Sequence, residues 1–350
     1  MVMFMHLMEL PREVLLGEDL KDKVSQVAKR LKLGENVLIL YGPKTKEIAG
    51  KDIEKHLKEF FHVKNLLIKE ASMKNVQKAL EIIRNENIDW LLGVGGGSII
   101  DVAKLASFKA DVPFISFPTT ASHDGIASAN ASIRDLGAKT SIKARPPVAV
   151  IADVNIIKTA PYRYLAAGVG DMVSNLTAVK DWELAHRIRG EYFSEYAASL
   201  SLMSAKMVIK NADIIRLSNE ESVRKVIKAL ISSGVAMSIA GSSRPASGAE
   251  HLFSHALDAI APKPALHGEQ CGVGTIIMAY LHGLNWKKIR ETLKRVGAPT
   301  NAYELEIDPG FIIEALTIAH TIRPERYTIL GKDGLTKEAA EKAAKITGVI

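Results

Sequence analysis

At 350 residues, 47% hydrophobic and 24% charged, the chain has room for two domains with a sizeable core and the balance of an ordinary soluble globular protein. The net charge of +7 is spread along the chain, with no Lys/Arg block interleaved with aromatics, which argues against nucleic acid and suits small anionic ligands. The single cysteine, Cys271, excludes an intrachain disulfide and fits a cytoplasmic protein, and no apolar run reaches the ~18–20 residues of a membrane span.

The Met-rich opening, residues 1–10, lacks a basic segment and a cleavage site, so it does not read as a signal peptide. Residues 36–41 (NVLILY) read as a short apolar strand closed by Gly42-Pro43, and 63–69 (VKNLLIK) as a second. A helix over 73–85 places Val76, Ala79, Leu80 and Ile83 on one face. Strands follow at 90–94 (WLLGV), 114–117 and 146–151 (PPVAVI). Strands separated by helices predict a parallel Rossmann-like sheet with helices on both faces. Beyond about Thr159 the strand signals stop, and 161–230, 270–284, 286–295, 310–321 and 336–346 keep a helical period. The expectation is an α/β N-terminal domain over 1–158 that binds nucleotide and an all-helical C-terminal domain over 159–350 that binds metal and substrate. The active site is expected in the interdomain cleft.

Three stretches carry chemistry. Gly95-Gly96-Gly97-Ser98-Ile99-Ile100-Asp101 follows a strand and opens a helix, where glycines let a ligand approach the backbone and the helix N-terminus offers N–H groups to phosphate. Its spacing differs from the usual dinucleotide fingerprint, and it follows the third strand rather than the first. The loop after the next strand, Thr119-Thr120-Ala121-Ser122-His123-Asp124, offers hydroxyls at 119, 120 and 122 to a nucleotide. Asp124 suits a polyol substrate, or else caps its own turn. Finally, His251 and His255 lie one helical turn apart, Pro262 and Pro264 end their helix, and His267 opens the next. Two of these imidazoles with a carboxylate from elsewhere would give a catalytic metal its three ligands; the bland alternative is a pair of hydrogen-bonded helix histidines.

Taken together, GGGSIID, PTTASHDG, the GVGD ending at Asp171, GAEHLFSH and HGE resemble the dehydroquinate synthase/glycerol dehydrogenase/iron-dependent alcohol dehydrogenase superfamily. TTASHDGIASANASI, SSRPASGAEHLFSHALD and ERYTIL are most similar to the archaeal sn-glycerol-1-phosphate dehydrogenases, and the resemblance runs along essentially the whole chain. It implies an NAD(P)H-dependent enzyme that interconverts dihydroxyacetone phosphate and sn-glycerol 1-phosphate for archaeal membrane lipids, and a homo-oligomer. It implies Asp171, His251 and His267 as ligands of one divalent ion, usually zinc; Gly97 to Asp101, Thr119 to Ser122 and Ser128 as cofactor contacts; and Asp124, Asp171 and His255 as substrate contacts.

Within that reading His255, with Asp124, is the expected proton relay, and Arg244 in the 242–248 loop is the expected phosphate contact. Competing readings are a glycerol or other polyol dehydrogenase, a dehydroquinate-synthase-like lyase, and a non-catalytic nucleotide-binding module. Glu70-Ala71-Ser72 after the second strand leaves NAD against NADP open.

Overall fold

The computed structural model of the protein describes residues 7–135 and 138–350; residues 1–6 of the Met-rich opening lie outside them. Packing divides the described chain into two units: Leu7–Ala121 with Gly125–Pro161, and Tyr162–Ile350 with Ser122–Asp124. A single cut near 158 assigns those three loop residues to the other side.

The first unit runs β1 Glu13–Gly17, α1 Lys23–Leu31, β2 Asn36–Tyr41, α2 Pro43–Thr45, α3 Lys51–Leu57, β3 His62–Leu67, α4 Met73–Asn85, β4 Trp90–Gly95, α5 Gly97–Ala110, β5 Phe114–Pro118, β6 Asn130–Asp135, β7 Ala138–Lys143, β8 Ala149–Asp153 and α6 Val154–Lys158. Six strands form one sheet in the order β1-β8-β5-β4-β2-β3, and every pairing in it is parallel. β4, β5 and β8 are buried along their whole length, which is why they read as unbroken apolar runs rather than alternating ones. Val37, Ile39, Trp90, Leu92, Val94, Ile115, Phe117 and Ile151 form the core on one face, each large side chain contributing about 1.5–3 kcal/mol by leaving water.

From β2 the chain moves outward to β3, then returns to the other side of β2 as β4. The C-terminal ends of β2 and β4 therefore flank the point where strand order reverses, the usual ligand crevice of an open α/β sheet. This topology explains why the glycine turn follows the third predicted strand: it sits across that reversal.

Among the strands, β1 and the hairpin β6–β7 were not anticipated. β1 is a five-residue edge strand fixed by pairing with β8 far along the chain. The antiparallel hairpin β6–β7 occupies 130–135 and 138–143, residues to which no element was assigned. It is pinned from α5: Asp101 accepts from the Ser132 amide at 3.1 Å, and the buried Lys104 ammonium donates to Asp101 and to the carbonyls of Gly125 and Asn130 at 2.7 and 2.6 Å.

The second unit holds α7 Tyr162–Arg189, α8 Glu195–Lys210, α9 Ala212–Arg216, α10 Glu220–Ala240, α11 Ala249–Ile260, α12 His267–Leu281, α13 Trp286–Arg295, α14 Pro309–Ile322 and α15 Lys337–Thr347. The predicted run of helix over 161–230 is broken where the backbone turns left-handed, at Gly190 (φ 66°) and Ser218 (φ 55°). Asn219 then caps α10 by accepting from the Ser222 amide at 3.0 Å. Among the described residues, no helix is long and apolar enough to cross a membrane.

The central packing of this unit is α7 against α12, and glycine makes it close. A Cβ on Gly170 would lie 2.1 Å from the Gly268 carbonyl oxygen, and one on Gly268 would lie 2.0 Å from that of Ala167. Only bare backbone fits at both positions.

Candidate active site

Close contact between α7 and α12 sets Asp171, in the third turn of α7, beside His267, the first residue of α12. The Asp171 Oδ1 lies 3.8 Å from His267 Nε2 and 3.8 Å from His251 Nε2, on the first turn of α11. The two imidazole rings stand at a steep angle, with centroids 4.9 Å apart. Sequence spacing left open which two of three imidazoles converge; the fold brings His251 and His267 to the carboxylate.

These donors fit a divalent ion. With bonds of about 2.0–2.2 Å, a tetrahedral ion needs its ligand atoms roughly 3.3–3.6 Å apart, so the two 3.8 Å separations from Asp171 need close by only a few tenths of an ångström. The electrostatics agree. Burial pushes the Asp171 carboxyl well above the usual aspartate range, and the nearby Asp124 and Glu250 carboxylates push it further. A dication among these groups removes that penalty. Two imidazoles and a carboxylate suit zinc, iron or nickel alike.

A second layer orients the ligands. Glu250, fully buried, accepts from His251 Nδ1 at 2.9 Å, from the Gly248 amide at 2.6 Å and from Thr177 Oγ1 at 2.7 Å. Burial works to raise its carboxyl, but these hydrogen bonds and the facing His251 hold it below the usual glutamate value. The Nδ1 contact turns His251 so that Nε2 faces Asp171. For His267, Nδ1 lies 3.2 Å from Ser254 Oγ. Gln270 fixes that serine, its Nε2 donating to Ser254 Oγ, Ser254 O and Asp258 Oδ1 at 2.9, 3.1 and 3.2 Å. Glu269 accepts from the Leu266 amide and from both arms of Arg163, which fixes the start of α12 and so His267.

Around this centre stand the other expected residues. Asp124 donates its amide to Asp171 Oδ2 at 2.9 Å, and its carboxylate accepts from Ser233 Oγ at 2.8 Å. The His255 ring lies 5.8 Å from that of His267, with Nδ1 4.0 Å from Asp258. The His123 ring lies 6.4 Å from His267 on another side. Cys271 Sγ is 3.6 and 3.9 Å from the two ring nitrogens of His267. Its sulfur also lies within 4.8 Å of the ligand atoms of Asp171, His251 and His267, and burial pushes the thiol well above its ordinary range, with the Asp171 and Glu250 carboxylates raising it further.

Arg244 departs from expectation. Its Nε donates to Glu191 at 2.6 Å, its Nη2 to the same carboxylate, and its Nη1 to the Tyr327 carbonyl at 2.9 Å. The guanidinium is buried and committed to protein acceptors rather than presented to a ligand.

In the other unit, the turn from β4 to α5 presents Gly96 as N-cap and Gly97 as first helical residue, leaving early amides of α5 without helical acceptors. A side chain on Gly95 would collide with Ile99, 2.5 Å away. Ser98 is exposed, whereas the Ile99 and Ile100 side chains belong to the core and Asp101 is engaged with Lys104 and Ser132. The Thr119 amide donates to the Gly95 carbonyl, and Thr120 stands against Gly96, so the two loops are neighbours at the ends of the paired strands β4 and β5. Thr119, Ala121 and Ser128 are buried; Thr120 and Ser122 are partly exposed.

A 77% identical relative, glycerol-1-phosphate dehydrogenase [NAD(P)+] of Thermococcus kodakarensis, aligns over 99% of both chains. The chain belongs to the glycerol-1-phosphate dehydrogenase family. A relative of the same description from Pyrococcus furiosus is 72% identical over 99% of this chain and all of its own. Residues 15–161 match the iron-containing alcohol dehydrogenase family model. Among solved structures, glycerol dehydrogenase from Schizosaccharomyces pombe superposes with a TM-score of 0.82 at 21% identity, covering 98% of this chain and 90% of the other. That likeness establishes the shared fold.

Sequence reasoning missed Glu250, Ser254 and Ser233, which touch the ligands or Asp124, and Thr177 and Gln270, which hold Glu250 and Ser254 in turn. Glu250 and Gln270 stood in plain view, a carboxylate beside His251 and an amide three residues after His267. Ser233 and Thr177 carry no local signal, because only helix packing brings them in.

Proposed function

We propose that the protein reduces dihydroxyacetone phosphate to sn-glycerol 1-phosphate with NAD(P)H, reversibly, to supply the glycerol backbone of archaeal membrane phospholipids. The observation that carries this reading is the convergence of Asp171, His251 and His267 in a chain that shares 77% identity with a protein so named. We assign the metal to those three residues, zinc being the preferred ion. The pyrophosphate of the cofactor is assigned to Gly95–Asp101 through the α5 amides, with Thr119, Thr120, Ala121, Ser122 and Ser128 beside it.

When bound, the divalent ion supplies Lewis-acid polarisation of the C2 carbonyl, and the nicotinamide supplies the hydride. The chain's own groups do the rest. Asp124, held by Ser233, accepts hydrogen bonds from a substrate hydroxyl. Hydride arrival leaves negative charge on the C2 oxygen, which requires a proton; His255, one turn beyond His251 on α11, is the group assigned to deliver it. Glu250, Ser254 and Gln270 hold both ligand imidazoles in orientation throughout. We further place the protein in the cytoplasm, as a homo-oligomer.

The test is a cofactor-oxidation assay. Steady NAD(P)H consumption with dihydroxyacetone phosphate is expected, negligible with dihydroxyacetone, abolished by a chelator and restored by zinc, with the sn-1 stereoisomer as product. Equal efficiency on dihydroxyacetone would instead identify a polyol dehydrogenase. His255→Ala should depress turnover and leave metal content intact.

A further inference from the structure

The segment after α14 carries a charge that the metal centre does not use. Arg326 donates Nη1 to the Ser247 carbonyl at 2.5 Å and Nη2 to Ser243 Oγ at 2.8 Å, both neutral acceptors. Among the described residues, no carboxylate forms an ion pair with it. Two other guanidiniums, Arg323 and Arg244, lie within electrostatic reach, as do the carboxylates of Glu191 and Glu250. Both carboxylates are already engaged: Glu191 by the two arms of Arg244, and Glu250 by His251, Thr177 and the Gly248 amide. Glu325 faces Arg323. Burial, together with the two neighbouring arginines, pushes the Arg326 guanidinium down to about 9. A positive charge in such a place is costly until an anion joins it. The residue as a whole keeps partial exposure.

This cluster is tied to the ligand helix. Ser247 precedes Gly248, the N-cap of α11, whose amide donates to Glu250, and Glu250 in turn holds His251. The same segment is anchored by the Ile329 amide on Asp181 of α7, at 2.6 Å.

We propose that Arg326, with Ser243 Oγ at its side and Arg323 beside it, is a seat for a phosphate dianion, and that the phosphate end of the substrate occupies it. The proposal rests on the function proposed above for its substrate arm; the seat itself stands on the cluster. It replaces Arg244 as the phosphate contact and leaves Arg244 the role of holding the 242–248 loop against Glu191. Arginine matches a phosphate's paired oxygens where lysine offers one point charge, so Arg326→Lys should recover only part of the binding.

Inorganic phosphate is the first probe, measured by calorimetric binding to the zinc-loaded protein and by competitive inhibition. Arg326→Gln is expected to weaken phosphate roughly ten- to hundredfold, the scale of lost charge-assisted hydrogen bonds. It should also lower the preference for dihydroxyacetone phosphate over dihydroxyacetone, as a ratio of kcat/KM, by a similar factor, with Arg326→Lys in between. Phosphate affinity and preference both within twofold of the parent, in variants that melt like the parent, overturn the proposal. Phosphate binding lost with the preference unchanged overturns the substrate arm and makes free phosphate the occupant. Absence of turnover with dihydroxyacetone phosphate in the parent protein refutes the proposed function instead, while the calorimetry still decides the seat.

Discussion

Gly170→Ala tests whether glycine packing between α7 and α12 builds the metal centre. The added Cβ would lie 2.1 Å from the Gly268 carbonyl oxygen and 3.0 Å from its carbon, against about 3.4 Å for ordinary contact. The obstacle is backbone rather than a flexible side chain, so the helices must part by about 1 Å or more. His267 begins α12, one residue before the collision, and Asp171 follows Gly170 directly. The 3.8 Å gap between their ligand atoms therefore opens where a bound ion requires it to shrink. Overpacking of this kind costs about 1–3 kcal/mol of stability. A misplaced ligand should cost roughly tenfold to hundredfold in metal affinity, about 1.4–2.7 kcal/mol. Zinc competition against a chromophoric chelator, bound metal per chain and a melting curve measure these directly. Full zinc stoichiometry, affinity within twofold of the parent and an unchanged melting temperature would refute the reasoning.

Three further outcomes are expected. Glu250→Gln removes the charged acceptor at His251 Nδ1 and should lower zinc affinity about tenfold or more, read by the same chelator competition. Metal removal should destabilise increasingly with pH: in the metal-free protein the Asp171 value is raised by burial, so its contribution is fully present below the ordinary 3.8 and is lost as pH rises through the raised value. Melting curves with and without chelator should thus diverge as pH increases; a constant gap would argue against a buried, ionised Asp171. Arg244→Ala should lower stability by about 1.5–3 kcal/mol through loss of its hydrogen bonds to Glu191 and Tyr327, read by denaturant unfolding.

Parallel strands were readable because a sheet covered on both faces needs unbroken apolar runs, and 36–41, 90–94 and 114–117 carry them. Edge strand β1 was not, since its partner β8 lies far along the chain, and hairpin β6–β7, though locally paired, is pinned by Asp101 and Lys104 contacts outside any local window. The same division holds at the site. His251 and His267 announce themselves by residue type, and Asp171 needed the family motif. The partners of Arg244 were not readable, because a loop arginine looks the same whether it faces a ligand or Glu191, and that glutamate lies 53 residues away.

Asp181, fully buried on α7, gathers three segments: it accepts from the Ala249 amide at 2.6 Å, from His282 Nε2 at 2.9 Å and from the Ile329 amide at 2.6 Å. Burial raises its carboxyl, and His282 counters that rise. The residue stands ten positions beyond Asp171 on one unbroken helix, a span of roughly 15 Å at 1.5 Å per residue. α7 thereby works as a ruler, carrying one ligand near its start and the peg for the start of α11 further along. Inserting or deleting a single residue between 171 and 181 would rotate one mark by about 100° against the other, so this interval should tolerate substitution far better than any change in length.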